Sequence, residues 1–159
     1  MNLVNVGIGE YAVSSNPGDQ LKTYALGSCV AIVVYDKDLK LAALMHVALP
    51  DSDVNSEKAA RSPGYFADTG VVQILRELRD RSARRKSISI KLIGGSNIMD
   101  QNRHFDIGKR NVLAIKKLLW KYQLGVIAED TGGDISRTVT VTVATGTVNI
   151  SSGRNKWEL

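Results

Sequence analysis

Val30-Ala31-Ile32-Val33-Val34-Tyr35 is apolar throughout and dense in β-branched side chains. A strand with one wet face would alternate with polar residues, so this run predicts a strand covered on both faces. Residues 36–40 form a polar turn, and residues 41–49 make a second apolar run of strand length, closed by Pro50. A proline restricts the residue before it to extended geometry, and the two runs read as a β-hairpin.

Working outward from that hairpin, the chain's one cysteine, Cys29, stands at the entrance to the first strand. His46 lies 17 residues later in the second strand. Chain reversal through a short turn brings these two positions back together. A lone thiol forms neither an internal disulfide nor a multi-cysteine metal site, which leaves packing or nucleophilic chemistry. Free cysteine is commonly buried, which favours packing. Its position at a loop-to-strand junction after Gly27 and Ser28 favours chemistry. Glycine there permits close approach to a ligand, and N–H groups outside the ladder can face a developing oxyanion.

A histidine between Met45 and Val47 is, by itself, more often a satisfied core or half-buried residue than a functional one. Beside a thiol it becomes a base that can generate a thiolate. Such a pair needs a third group to orient the ring, and the nearby polar candidate is Thr23, whose other use is a local hydroxyl bond. His104, in the polar stretch 102–106, reads as exposed loop and is not chosen as the base. One cysteine and two separated histidines have no metal-ligand spacing, and no cofactor or metal is expected. The pairs Gly94-Gly95 and Gly132-Gly133 lack the lysine and serine or threonine of a phosphate loop and read as tight turns.

The 159 residues suit one domain spanning 1–159, and 43 % hydrophobic with 23 % charged residues is an ordinary globular balance. No run approaches the roughly 18 apolar residues of a membrane span, and residues 1–10 lack a signal-peptide pattern. A cytoplasmic protein without membrane insertion is expected. The net charge of +5 comes mainly from residues 76–91 and 103–121 and suggests attraction to something acidic, although such runs are more often a solvated face. Aromatic residues are only 6 % and no nucleic-acid motif interleaves with the basic runs, so nucleic acid is not the expected partner.

Residues 3–8 and 11–13 read as short extended segments broken by Gly7 and Gly9, with a turn at residues 16–18. Residues 51–62 carry no apolar period and read as a mobile loop. Val71, Ile74, Leu75 and Leu78 mark a helix over 66–81, and Val112, Ile115, Leu118, Leu119 and Tyr122 mark a second, ending before Gly125. Strands are expected at 88–93, 125–130, 138–143 and 147–150, with a loose polar tail from residue 151. The fold class is an α/β (α+β) sandwich with a mostly antiparallel, mixed β-sheet and two main helices on one side.

Several segments, in order, resemble the CheD family of chemoreceptor glutamine deamidases: Gly7-Ile8-Gly9-Glu10-Tyr11, Leu26-Gly27-Ser28-Cys29-Val30, His46-Val47, Ile107-Gly108-Lys109-Arg110-Asn111 and Glu129-Asp130-Thr131-Gly132-Gly133. The resemblance spans nearly the whole chain. Ser136 departs from the glycine the family commonly shows before Arg137. What the resemblance implies is an amidohydrolase that converts selected glutamines of methyl-accepting chemotaxis receptors to glutamate. It also implies interaction with the phosphatase CheC and a sandwich fold similar to toxins that deamidate Rho GTPases. By position, the family's nucleophile falls on Cys29, its base on His46 and its orienting threonine on Thr23. The oxyanion donors are expected around Gly27 and Ser28. Two other classes compete: a binding module that regulates CheC, and a basic domain contacting nucleic acid.

Overall fold

The computed structural model describes residues 1–98 and 105–159. In chain order the elements are β1 (Asn2–Asn5), β2 (Tyr11–Ser14), β3 (Asp19–Leu26), β4 (Val30–Asp36), β5 (Leu41–Val47), α1 (Ser56–Arg61), α2 (Ala67–Asp80), β6 (Ile88–Gly94), α3 (Ile107–Lys121), β7 (Ala128–Thr131), β8 (Arg137–Thr142), β9 (Val148–Ser152) and β10 (Asn155–Glu158). Two short 3₁₀ turns, Ser52–Val54 and Pro63–Tyr65, flank α1.

The expected hairpin forms, with β4 and β5 antiparallel from Val30 opposite Val47 to Asp36 opposite Leu41. Its turn is held by the buried Asp36 carboxylate, which accepts from the N–H groups of Asp38 (2.9 Å) and Leu39 (3.0 Å) and from Ser87 Oγ (2.9 Å). A carboxylate bonding its own backbone two residues on mimics a turn and fixes the chain reversal.

The mixed α+β class holds, but the expected single sheet is two. One has the order β2-β5-β4-β6-β7 and the other β1-β3-β8-β9-β10. Among the described residues six of the strand pairings are antiparallel; β1 with β3 and β6 with β7 are parallel. Parallel neighbours need a crossover, and α3 supplies it between β6 and β7.

This arrangement explains the unbroken apolar run. Val30, Ile32 and Val34, with Ala43, Met45 and Val47, pack against Ala67, Val71, Ile74 and Leu78 of α2 and Ile115 and Leu119 of α3. Ala31 and Val33, with Ala42 and Leu44, face the second sheet through Leu21, Val139, Val141 and Ile150. The central sheet is therefore the middle layer of three, and each face of β4 has its own core.

Two further sequence expectations are corrected, and one strand is new. Residues 51–62 are not a structureless loop: Asn55 caps α1 through its side-chain oxygen on Lys58 N–H (3.0 Å), and Asp51 likewise receives Asp53 N–H (2.9 Å). The tail is not loose, because β10 pairs with β9 and half-buried Trp157 donates its indole N–H to Asp130. Residues 19–26, which carry no strand signal beyond the turn before them, form the long strand β3. His104 lies outside the described residues.

Candidate functional site

His46 projects from β5 opposite Ala31, toward the space between the sheets, and is only 3 % exposed. Thr23 points into the same space from β3, two residues beyond Leu21, and is fully buried. Thr23 Oγ1 lies 2.7 Å from His46 Nδ1 and 2.7 Å from the carbonyl oxygen of Val6. A carbonyl only accepts, so the threonine hydroxyl donates to Val6 and its oxygen accepts from Nδ1–H. That relay selects the tautomer with a bare Nε2, the form able to take a proton. Nε2 is buried and has no hydrogen-bond partner among the described residues.

The segment between β1 and β2 holds the histidine backbone. Gly9 N–H donates to His46 O (2.8 Å) and His46 N–H donates to Glu10 O (3.1 Å). Gly9 has φ +79, and a side chain there would strike Ser62 and Tyr65. Glycine is required on both counts. Burial of the imidazole pushes its pKa down to about 4. Taking a ring out of water disfavours its charged form.

Cys29 precedes β4 and is half-buried. It stands two residues before Ala31, packs on the inter-sheet core, and so shares a face with His46. Continuing the β4–β5 register by one residue would make the two diagonal neighbours, a relation that in an antiparallel pair spans about 7–8 Å. Burial pushes the thiol pKa up, and the residue's own backbone N–H pulls the other way. With the thiol raised and the imidazole lowered, the resting pair is neutral. Burial disfavours the charged form of each group there.

The backbone leading into the thiol is pinned at three successive carbonyls. Gly27 O accepts from Ser96 N–H (2.8 Å), Ser28 O from Asn111 Nδ2 (2.9 Å) and Cys29 O from Gly95 N–H (2.8 Å). Arg137, 5 % exposed, supports this corner. It reaches Ser96 Oγ (2.8 Å), Gly132 O (3.0 Å) and Asp130 Oδ1 (3.0 Å), joining β8 of one sheet to the end of β7 in the other.

The structure thus puts Thr23 in contact with His46 and Cys29 on the same face, with Gly27 and Ser28 in the anchored loop. Sequence reasoning missed Val6, Gly9, Glu10, Asn111 and Arg137. Asn111 carried a signal: it shares the helical phase of Ile115 and Leu119, and a polar residue in a core stripe invites explanation. Val6, Gly9 and Glu10 act through backbone atoms, which side-chain patterns do not reveal. Among the described residues no group of three or more His, Cys, Asp or Glu could hold a metal ion. No helix among them is long and apolar enough to cross a membrane.

Comparison with known proteins points to chemotactic signalling. Residues 48–152 match the family model described as CheD chemotactic sensory transduction. The chain is 50 % identical over 97 % of its length, and 97 % of the relative's, to the probable chemoreceptor glutamine deamidase CheD of Syntrophotalea carbinolica. It is 41 % identical to CheD 1 of Syntrophus aciditrophicus, also named as a probable chemoreceptor glutamine deamidase, over 96 % of this chain and 95 % of that one. The chemoreceptor glutamine deamidase CheD of Thermotoga maritima is 42 % identical over 89 % of this chain and 86 % of its own. The chain belongs to the CheD family.

Proposed function

We propose that this protein is a chemoreceptor glutamine deamidase that works through Cys29, with His46 as base and Thr23 as the group orienting it. The activity and substrate class follow the names its relatives carry. The mechanism rests on one observation: the Val6–Thr23–His46 relay presents a buried Nε2, without a hydrogen-bond partner among the described residues, on the face that carries the lone thiol.

In this reading Nε2 takes the Sγ proton as the sulfur attacks the carboxamide carbon of a receptor glutamine. The carbon–oxygen π electrons move onto oxygen, and the N–H groups of Ser28 and Cys29 bond that oxyanion. Collapse restores the carbonyl and expels the nitrogen, which takes the proton from His46 and leaves as ammonia. A water molecule then gives its proton to His46 and attacks the thioester carbon. Collapse of this second intermediate returns the proton to sulfur and releases glutamate. The neutral resting pair suits this order, because charge separates only when substrate and oxyanion donors are present to stabilise it.

Three finer elements belong to the same proposal: a cytoplasmic location, CheC as a protein partner and a sandwich kinship with Rho-deamidating toxins. The CheC partner and the toxin kinship rest on the family resemblance, and the location is the one expected from the absence of a run long enough to span a membrane.

Incubating receptor fragments with the wild-type chain and with Cys29→Ala tests the central claim by mass spectrometry and ammonia assay. The variant is expected to keep its fold and CheC binding and to lose deamidation. Turnover by Cys29→Ala would overturn the nucleophile, and CheC binding without turnover by either chain would favour a regulatory binding module.

A further inference from the structure

Asn111 is fully buried on the core face of α3, in a stripe continued by Ile115 and Leu119. A buried amide is disfavoured at such a position unless it is bonded. Both of its N–H bonds are used: Nδ2 donates to Ser28 O at 2.9 Å and to Ala48 O at 3.0 Å. Two carbonyl acceptors fix the orientation of the amide, since the reverse would set oxygen against oxygen. Its Oδ1 is buried with no partner among the described residues. The side chain leaves an acceptor unsatisfied in order to supply two donors.

The two carbonyls belong to the two strands of the hairpin at its open end. Val30 opposite Val47 is the last rung of the β4–β5 ladder, so the next would be Cys29 beside Ala48. There the amide of Asn111 bridges the segments. The N–H across the peptide from Ser28 O is that of Cys29, and in a trans peptide it points the opposite way. Holding Ser28 O toward α3 therefore aims the Cys29 N–H away from α3. Holding Ala48 O with the same group sets the spacing between the thiol's loop and the strand that carries His46. The flanking carbonyls of Gly27 and Cys29 are pinned by backbone N–H groups, so the middle anchor is the one made by a side chain.

We propose that Asn111 is a positioning residue for deamidation, holding the oxyanion donor and the Cys29–His46 spacing from the rear of the site. This inference rests on the Cys29–His46 reading. Close packing of α3 sets the reach of the amide: Gly108 lies against the backbone of Gly95 and Ser96, where a Cβ would overlap both carbonyls. One helical turn further on, Asn111 arrives beneath the loop.

The test is steady-state kinetics on receptor fragments with Asn111→Asp and Asn111→Ser, expressed per folded molecule and set beside Ile115→Ala, a packing loss in the same stripe. The expected result is a fall of tenfold or more in kcat for both Asn111 variants with KM within twofold of wild type. Ile115→Ala should lower the Tm and leave kcat per folded molecule unchanged. Wild-type kcat in either folded Asn111 variant, or an equal fall in kcat for Ile115→Ala, would overturn the proposal. An active Cys29→Ala would instead overturn the parent reading, so the two failures are distinct.

Discussion

At the residue scale, the proposed mechanism depends on a histidine kept neutral. Burial places the His46 pKa near 4, while an unfolded chain would show the ordinary value near 6.5. Above pH 6.5 the ring is neutral in both states. Between about 6.5 and 4 the unfolded chain binds a proton that the folded one refuses, so stability falls as pH falls through that window. The full contribution is about 3 kcal/mol, from the shift at 1.36 kcal/mol per unit. Urea unfolding at pH 7 and pH 5 should show the wild type losing a little over half of that amount, about 2 kcal/mol, on acidification and His46→Gln losing clearly less. Equal losses would mean that the ring is wetter than its 3 % exposure indicates. Thr23 has no charge to titrate, and its importance lies in direction: it accepts from Nδ1 because Val6 takes its only proton.

At the element scale, the two glycine pairs that look alike in sequence have different roles. Gly132 and Gly133 have positive φ but open space around them, as expected of a turn. Gly94, at the end of β6 with φ +115, has no such room, because a Cβ there would collide with the Cys29 carbonyl oxygen. Backbone strain of this kind costs on the order of 1–3 kcal/mol and must be relieved by movement. The group that must move is the carbonyl of Cys29, the proposed nucleophile. Gly94→Ala is thus expected to lower the Tm by several degrees and to reduce kcat per folded molecule at least tenfold, whereas Gly133→Ala should reduce stability and spare kcat. Normal turnover by Gly94→Ala would show that the Cys29 backbone is free to shift without penalty.

At the scale of the whole molecule, the basic residues of α2 and α3 occupy the outer faces of those helices. Arg76, Arg79, Lys109, Arg110, Lys117 and Lys121 are partly or fully exposed there while the opposite faces pack on the central sheet. Surface charge of one sign raises encounter rates with an acidic partner and is screened by salt. Raising ionic strength from low to physiological should lower kcat/KM on receptor fragments severalfold and leave kcat unchanged. A salt-independent kcat/KM would reduce the net charge of +5 to a matter of solubility.

Much of this architecture was legible in the chain itself. An apolar run on both parities announced a strand between two covering layers, helical periods located α2 and α3, and a short turn placed Cys29 near His46. Those features follow from local rules: side-chain period, turn chemistry and the reach of a hairpin. The tertiary structure alone decided which surfaces covered that strand, and with them the rest of the site. Thr23 meets His46 because a second sheet stacks on the first. Val6 orients the pair with a backbone oxygen, and Asn111, 82 residues downstream of Cys29, reaches the thiol loop from α3. Periodicity tells which side of an element is buried; only packing tells what it is buried against, and hydrogen bonds between distant segments form where packing brings donor to acceptor.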